Sequence, residues 1–183
     1  KGSGIINFAI PLLIFLGGLG FASLLNIFDS IKSRKNKLFL TTKIVLVISF
    51  ALIIIGMVLT LLLERNNLGT IAPLSLKDKL LASLFQSVST RTAGFNTIAI
   101  GALTAPTLFA YIILMFIGAS PGSTGGGIKT TTFGIIILGA WATLTNRHDI
   151  EIGKRRIGWD VFNKAIAIVL IALLYVTFVV FLL

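Results

Sequence analysis

The sequence has no cysteine, one histidine and six acidic residues, against sixteen lysines and arginines in 183 residues. Without cysteine there are no disulfides and no thiolate-held metals. A lone His148 in a charged loop cannot build a histidine metal site. Charge of either sign is scarce: Asp, Glu, Lys and Arg make up 12% of the chain, about half the share a soluble domain carries. The chain is instead 56% hydrophobic, with a mean hydropathy of +1.01. Ile44–Leu63 runs twenty residues without a charge, enough to cross a hydrocarbon core of roughly 30 Å. These features predict an all-α integral membrane protein in the lipid bilayer. No paired carboxylates, no nucleophile beside a base and no metal cluster lie at membrane depth, so an enzyme is not expected.

The net charge of +10 raises nucleic acid as a partner. No basic stretch is interleaved with aromatics, as a nucleic-acid face requires, so none is expected. Membrane proteins collect Lys and Arg in their cytoplasmic loops, and the charge here follows that pattern. Residues 29–43 carry Lys32, Arg34, Lys35, Lys37 and Lys43 against Asp29, and residues 146–158 carry Arg147, Lys154, Arg155 and Arg156 against Asp149 and Glu151. Residues 64–80 hold Arg65, Lys77 and Lys79 against Glu64 and Asp78. The asymmetry puts the first and third connections in the cytoplasm. The chain opens on Lys1 and closes at Leu183 inside an apolar run, so it is expected to be a piece of a longer polypeptide. Ile5–Phe28 is too long for a signal-peptide core and lacks its cleavage pattern.

Four apolar blocks are legible: Ile5–Phe28, Ile44–Leu63, Pro106–Thr145 and Ala165–Leu183. Between the second and third, Lys79–Val88 (KLLASLFQSV) is apolar but too short to cross, a length that fits a re-entrant half helix. A polar hairpin follows it at once. The order is full helix, half helix, hairpin, full helix: a helix–pore-loop–helix unit.

The hairpin core is Thr92-Ala93-Gly94-Phe95-Asn96. A potassium filter replaces the ion's water with backbone carbonyls from four loops of TVGYG type. Turning successive carbonyls to one axis needs alternating handedness of φ, which glycine reaches without steric cost. Thr-small-Gly-aromatic matches that order, with Asn96 where a second glycine would stand. The half helix aims its C-terminal end at mid-membrane, where the macrodipole is equivalent to about half a negative charge and favours a cation. An ordinary extracellular turn is the other reading of these five residues. Arg91, beside them, is expected to point away from the ion path and to pair with an acid or a carbonyl.

Pro106–Thr145 is too long for one span: forty helical residues reach about 60 Å. The break is written at Gly118-Ala119-Ser120-Pro121-Gly122-Ser123-Thr124-Gly125-Gly126-Gly127-Ile128-Lys129-Thr130, between helical stretches Leu108–Ile117 and Phe133–Leu144. Irregular backbone at membrane depth is tolerated only where protein buries it or a water-filled cavity lies beside it. A mobile, polar loop under the filter, rich in glycine and hydroxyls, has the properties of a gate; a plain kink with packing glycines is the alternative. The segment also looks like a nucleotide P-loop, but Ile128 separates the glycine from the lysine and a transmembrane helix precedes it, so that reading is rejected. Lys129 is the one formal charge between Pro106 and Thr145. It either plugs the cavity as a tethered cation, pairs with an acid outside this chain, or snorkels to the interface.

Ser89–Thr97 (STRTAGFNT) and Phe116–Thr132 (FIGASPGSTGGGIKTTT) together resemble the Trk/Ktr/HKT superfamily of potassium transporters, most closely its Ktr-type membrane subunits. The resemblance covers essentially the whole chain. It implies four helix–pore-loop–helix repeats in pseudo-fourfold array around one pore, with a broken inner helix. By that pattern, residues 1–42 hold the closing helix of the second repeat and a cytoplasmic linker. Residues 43–145 hold the complete third repeat, and residues 146–183 a linker and the opening helix of the fourth. It further implies K⁺ at the filter carbonyls of Thr92–Asn96, a gate at Gly118–Lys129 and no cofactor in this chain. The implied setting is a multi-pass subunit in a bacterial plasma membrane. Its implied partners are the other repeats, a second copy in a homodimer, and a cytosolic nucleotide-binding ring of KtrA or TrkA type docked on the basic loops 32–43 and 147–156. Some members of the superfamily carry Na⁺, so Na⁺ stays open as transported or coupling ion, and a non-conducting scaffold subunit is the remaining alternative. One filter loop cannot surround an ion, so conduction is expected to need the remaining repeats.

Overall fold

The computed structural model describes residues 4–33, 37–147, 149–152 and 155–182. Arg34, Lys35, His148 and Lys154, among the basic-loop positions singled out above, lie outside the described residues. Seven α-helices and one short hairpin follow in order: α1 Gly4–Gly18, α2 Phe21–Lys32, α3 Leu40–Leu63, α4 Leu76–Ser89, α5 Ala105–Phe116, α6 Thr130–Leu144, β1 Ile150–Ile152, β2 Arg155–Ile157 and α7 Trp159–Leu182. Among the described residues the molecule is helical apart from that hairpin, with a short 3-10 turn at Ile100–Ala102 before α5.

The packing face of α3 carries hydroxyls and a glycine among larger apolar side chains, and its outer face is apolar from Val47 onward. Val45, Ser49, Leu52, Ile53, Gly56 and Thr60 are buried along one side. Val47, Phe50, Ile54, Val58 and Leu62 stand exposed on the other. Small residues let helices approach closely in lipid, where no hydrophobic force drives them together. A Cβ on Gly56 would meet Ser87 Oγ at 2.4 Å and Leu114 Cδ1 at 2.9 Å. The approach is closed by two hydroxyls: Ser87 donates to the Ile53 carbonyl at 2.7 Å, and Thr60 Oγ1 lies 2.8 Å from the Tyr111 hydroxyl. α3 and α7 are each long and apolar enough to cross a membrane.

α4 covers the apolar stretch Lys79–Val88, with three residues more at its start and one at its end. Ser75 caps it, accepting from the Asp78 N–H at 3.2 Å while its hydroxyl donates to the Asp78 carboxylate at 2.7 Å. It lies against α3 and α1, so its far end is buried inside the helix cluster.

Two expectations are corrected. Ile5–Phe28 is not one continuous block. It breaks at Leu19–Gly20 into α1 and α2, which meet at 102°. Gly20 has φ +80°, and a Cβ there would sit 2.3 Å from the Pro121 carbonyl oxygen, so the break is where the 117–129 loop docks. The connection 146–158 is not simply a loop: β1 and β2 pair antiparallel, with Glu151 opposite Arg156. Arg156 bonds Asp149 at 3.0 Å and Glu151 at 3.7 Å, and fully buried Ile150 anchors the hairpin under α6. The long third block divides as expected, into α5 and α6. A cluster of Leu52, Ile71, Ile98, Leu103, Tyr111, Leu114 and Ile117 ties α3, α5 and the segment leaving the hairpin core into one body.

Candidate functional site

The site begins at the C-terminal end of α4. Ser87, Val88, Ser89 and Thr90 are buried, and the chain turns out of the helix on short hydrogen bonds. Thr90 Oγ1 donates to the Ser87 carbonyl at 2.8 Å, and the Arg91 and Ala93 N–H groups reach Val88 and Ser89 carbonyls at 3.2 and 3.1 Å. The Ser89 hydroxyl, which sequence reasoning did not single out, bonds the Phe95 carbonyl and ties the outgoing limb to the helix end.

Thr92 and Gly94 both have left-handed backbone, φ 75° and 74°, with Ala93 between them. Left-handed backbone thus flanks Ala93 in the turn that leaves α4. A Cβ added at Gly94 would meet no atom within 4 Å; the φ value, not crowding, asks for glycine there. Thr92 is β-branched in the same region, where such residues are strained. Thr92, Gly94, Phe95 and Asn96 are exposed and Ala93 half-buried, on the open side of the cluster.

Facing this strand is the 117–129 loop, a closed and hydrogen-bonded structure. At its neck Ile117 and Ile128 form a parallel bridge, Gly118 N–H donating to Ile128 O at 2.9 Å and Ile128 N–H to Phe116 O at 3.0 Å. Ala119 N–H donates to Gly126 O at 3.3 Å, and Thr130 N–H to Ala119 O at 3.2 Å. Buried Ser120 receives the Thr130 hydroxyl at 3.2 Å on its Oγ, and its carbonyl takes the Ser123 hydroxyl at 2.6 Å. The loop is docked from outside as well: Ser120 N–H donates to Gly18 O at 3.0 Å and Phe21 N–H to Gly122 O at 3.1 Å. Pro121, Gly122 and Thr124 are exposed at its tip. The glycines, read above as a source of mobility, have a packing reason in part: a Cβ on Gly118 or Gly125 would collide with neighbouring atoms.

Lys129 is half-buried at the end of the loop. Its Nζ donates to the Gly125 carbonyl at 2.8 Å, closing the loop on itself. Arg91 is buried and pairs with a hydroxyl and carbonyls, not with an acid. Its guanidinium reaches Ser49 Oγ at 3.2 Å, Ser49 O at 3.4 Å and Gly118 O at 3.4 Å.

The structure brings the two groups of residues together. A cavity of about 230 Å³ opens where they meet, lined by Arg91, Thr92, Ala93 and Phe95, by Thr124 and Gly125 of the loop, and by Leu13, Ile14, Gly17 and Gly18 of α1. The Gly125 backbone comes so near that a Cβ on it would stand 2.7 Å from Thr92 Oγ1.

Glu64 lies outside both sequence motifs. This carboxylate, just past the end of α3, is fully buried. Oε1 accepts from the Thr104 N–H at 2.9 Å, the Thr104 hydroxyl at 2.7 Å and the Thr107 hydroxyl at 2.5 Å. Oε2 accepts from Asn67 Nδ2 at 2.6 Å and the Thr70 hydroxyl at 2.7 Å. Burial alone would raise its pKa, but the bonds from Thr107, Thr104 and Thr70 outweigh that and hold it at about 2. Glu64 thereby ties the start of α5 to the end of α3 and holds the far end of the limb leaving Asn96.

A family described as TrkH, cation transport protein, matches residues 4–183. The chain is 36% identical to Ktr system potassium uptake protein B of Vibrio alginolyticus over 98% of its own length and 39% of that protein's. It is 40% identical to the Bacillus subtilis (strain 168) protein of the same name, over 91% of the chain and 37% of that protein. The crystal structure of the potassium transporter TrkH from Vibrio parahaemolyticus superposes with a TM-score of 0.70 at 21% identity, over 91% of this chain and 36% of that one. That likeness shows a shared fold, and the chain spans well under half the length of each of these proteins.

Proposed function

Because the chain belongs to the TrkH family of cation transport proteins, we propose that it is part of the pore of a potassium-uptake membrane subunit, with its ion site at the backbone of Thr92–Asn96 and its gate at Gly118–Lys129. The observation that carries this reading is the paired left-handed backbone at Thr92 and Gly94, placed at the buried end of α4. A strand whose φ alternates turns carbonyls from neighbouring residues to one side, the arrangement that replaces an ion's hydration shell. The α4 macrodipole adds partial negative charge at the same point. The 117–129 loop and that strand line the same 230 Å³ cavity, where a shift of the loop opens or blocks the path. The names of the two uptake proteins, at 36% and 40% identity, support K⁺ as the transported ion.

In this reading residues 43–145 are one complete repeat, and residues 1–42 and 146–183 supply helices of its two neighbours. The whole protein is a multi-pass subunit of a bacterial plasma membrane that works as a homodimer with a cytosolic nucleotide-binding ring, and the relatives' naming as parts of a Ktr system is consistent with further subunits. Na⁺ transport by the same site is the competing outcome.

The test is K⁺ and Na⁺ uptake by a potassium-uptake-deficient bacterial strain expressing the full-length protein, with Gly94 intact or as Gly94→Ser. Restored uptake by the intact form, with weaker K⁺ affinity or admitted Na⁺ in the variant, supports the filter. A well-expressed variant indistinguishable from the intact protein removes it.

A further inference from the structure

Arg91 occupies a position that burial makes costly and that the pore reading leaves unused. It is 8% exposed, and no carboxylate lies within ion-pair distance of it among the described residues. A buried, unpaired cation is strongly unfavourable unless hydrogen bonds spread its charge. Here the acceptors come from two separate parts of the fold: Ser49 in the middle of α3, and the Gly118 carbonyl at the neck of the 117–129 loop. Nε has no partner. Through the backbone the same residue is continuous with Thr92, whose left-handed φ opens the proposed filter.

We propose that Arg91 is a positioning residue that couples the filter to the gate, holding the inner end of the Thr92–Asn96 strand and the neck of the 117–129 loop to a common anchor on α3. This rests on the pore reading above and deepens it. Three features carry the coupling. Gly118 is the first residue of the loop past its bridge and is locked to Ile128, so holding its carbonyl holds both strands of the neck. Ser49 lies on a long, regular helix and supplies a fixed reference point. The loop also touches the filter at a second place, Gly125 beside Thr92, so a neck that swings must drag or release the strand. The planar guanidinium reaches acceptors in several directions at once; a lysine ammonium on a flexible stem is one point charge and cannot span them in the same way.

The experiment uses the full-length protein reconstituted in phosphatidylethanolamine–phosphatidylglycerol vesicles, measuring basal K⁺ influx and the K⁺ to Na⁺ influx ratio for Arg91→Lys and Ser49→Ala. Both readouts are expected to move together: basal influx rises and the ratio falls, each by on the order of threefold to tenfold for Arg91→Lys, and by less for Ser49→Ala, which keeps the carbonyl acceptor. If only one readout moves, Arg91 serves the filter or the loop alone and the coupling is refuted. If both variants fold with the parent's melting temperature and leave both readouts unchanged, the coupling is likewise refuted. Should Arg91→Lys fail to fold, Ser49→Ala decides by the same two readouts. Gly94→Ser in the same vesicles separates the two claims: no change in ratio there removes the filter itself, whereas a changed ratio with silent Arg91 and Ser49 variants removes only the coupling.

Discussion

Gly118 and Gly126 approach so closely across the neck of the 117–129 loop that a Cβ built on Gly118 would lie 1.7 Å from the Gly126 carbonyl oxygen. The obstacle is backbone, which cannot rotate aside as a side chain would. Across the same contact, a Cβ on Gly126 meets nothing within 4 Å and its φ is ordinary. The two glycines are therefore unequal. Gly118→Ala is expected to destabilise the full-length protein by about 1–3 kcal/mol, as overpacking does, or to unseat the loop neck. Gly126→Ala is expected to be close to neutral. Thermal melting in detergent, with limited proteolysis of the loop, distinguishes them, and equal behaviour of the two variants would contradict the packing described.

Glu64 makes stability depend on pH. Its folded pKa of about 2 lies below the ordinary 4.5, so the unfolded chain binds the proton more readily. The contribution of Glu64 is fully present above about pH 4.5 and is lost as pH falls through 4.5 towards 2. The shift corresponds to about 3 kcal/mol. Melting temperature is expected to drop across that window more steeply than in Glu64→Gln. At neutral pH the variant itself is expected to be less stable, because a Gln amide presents a donor where Thr104, Thr107, Asn67 and Thr70 already donate. Superimposable pH–melting curves for parent and variant would show that the carboxylate is not the group that titrates.

The docking of α4 on α3 is expected to be sensitive at one point. Ser87→Ala removes the bond to the Ile53 carbonyl and leaves that buried acceptor with its helical partner alone, a loss of about 1 kcal/mol. Gly56→Val, facing the same hydroxyl at 2.4 Å, is expected to cost more, by prying the helices apart. Melting of the two single variants and of the double variant measures this. Additive losses would mean that the two positions do not share the contact.

The parts legible in the sequence were those whose physics is local. α4 is legible as an apolar stretch too short to cross, and the turn beyond its end by the glycine at position 94. The broken inner helix was legible because forty apolar residues exceed a bilayer. What escaped notice depends on partners far along the chain. The break at Gly20 is not written in the Ile5–Phe28 block itself, because the Pro121 carbonyl packed against it belongs to a loop about a hundred residues on. Glu64 at a helix end reads as a solvated charge; only Thr104 and Thr107, about forty residues later, make it a buried hub. The hairpin at Ile150–Ile157 is not legible because three-residue strands carry almost no periodic signal.

Thr92 offers the sharpest separation of stability from function. A β-branched side chain at φ 75° holds strain of about 1–3 kcal/mol, and such strain persists only where the surroundings over-determine it. Glycine would relieve it, less about 0.5–1 kcal/mol for the greater freedom of the unfolded chain. Thr92→Gly is therefore expected to leave melting temperature unchanged or to raise it slightly. If the strained residue serves only the fold, nothing else changes. If it fixes the direction of carbonyls at the ion site, the relaxed backbone samples other orientations and K⁺ preference over Na⁺ falls while stability does not. The side chain contributes too, since its hydroxyl lies beside Gly125 at the cavity wall. Thr92→Ser keeps that hydroxyl and removes the branch, so it is expected to fall between the parent and Thr92→Gly in the K⁺ to Na⁺ influx ratio. A ratio that tracks melting temperature through the series would instead assign Thr92 to the fold.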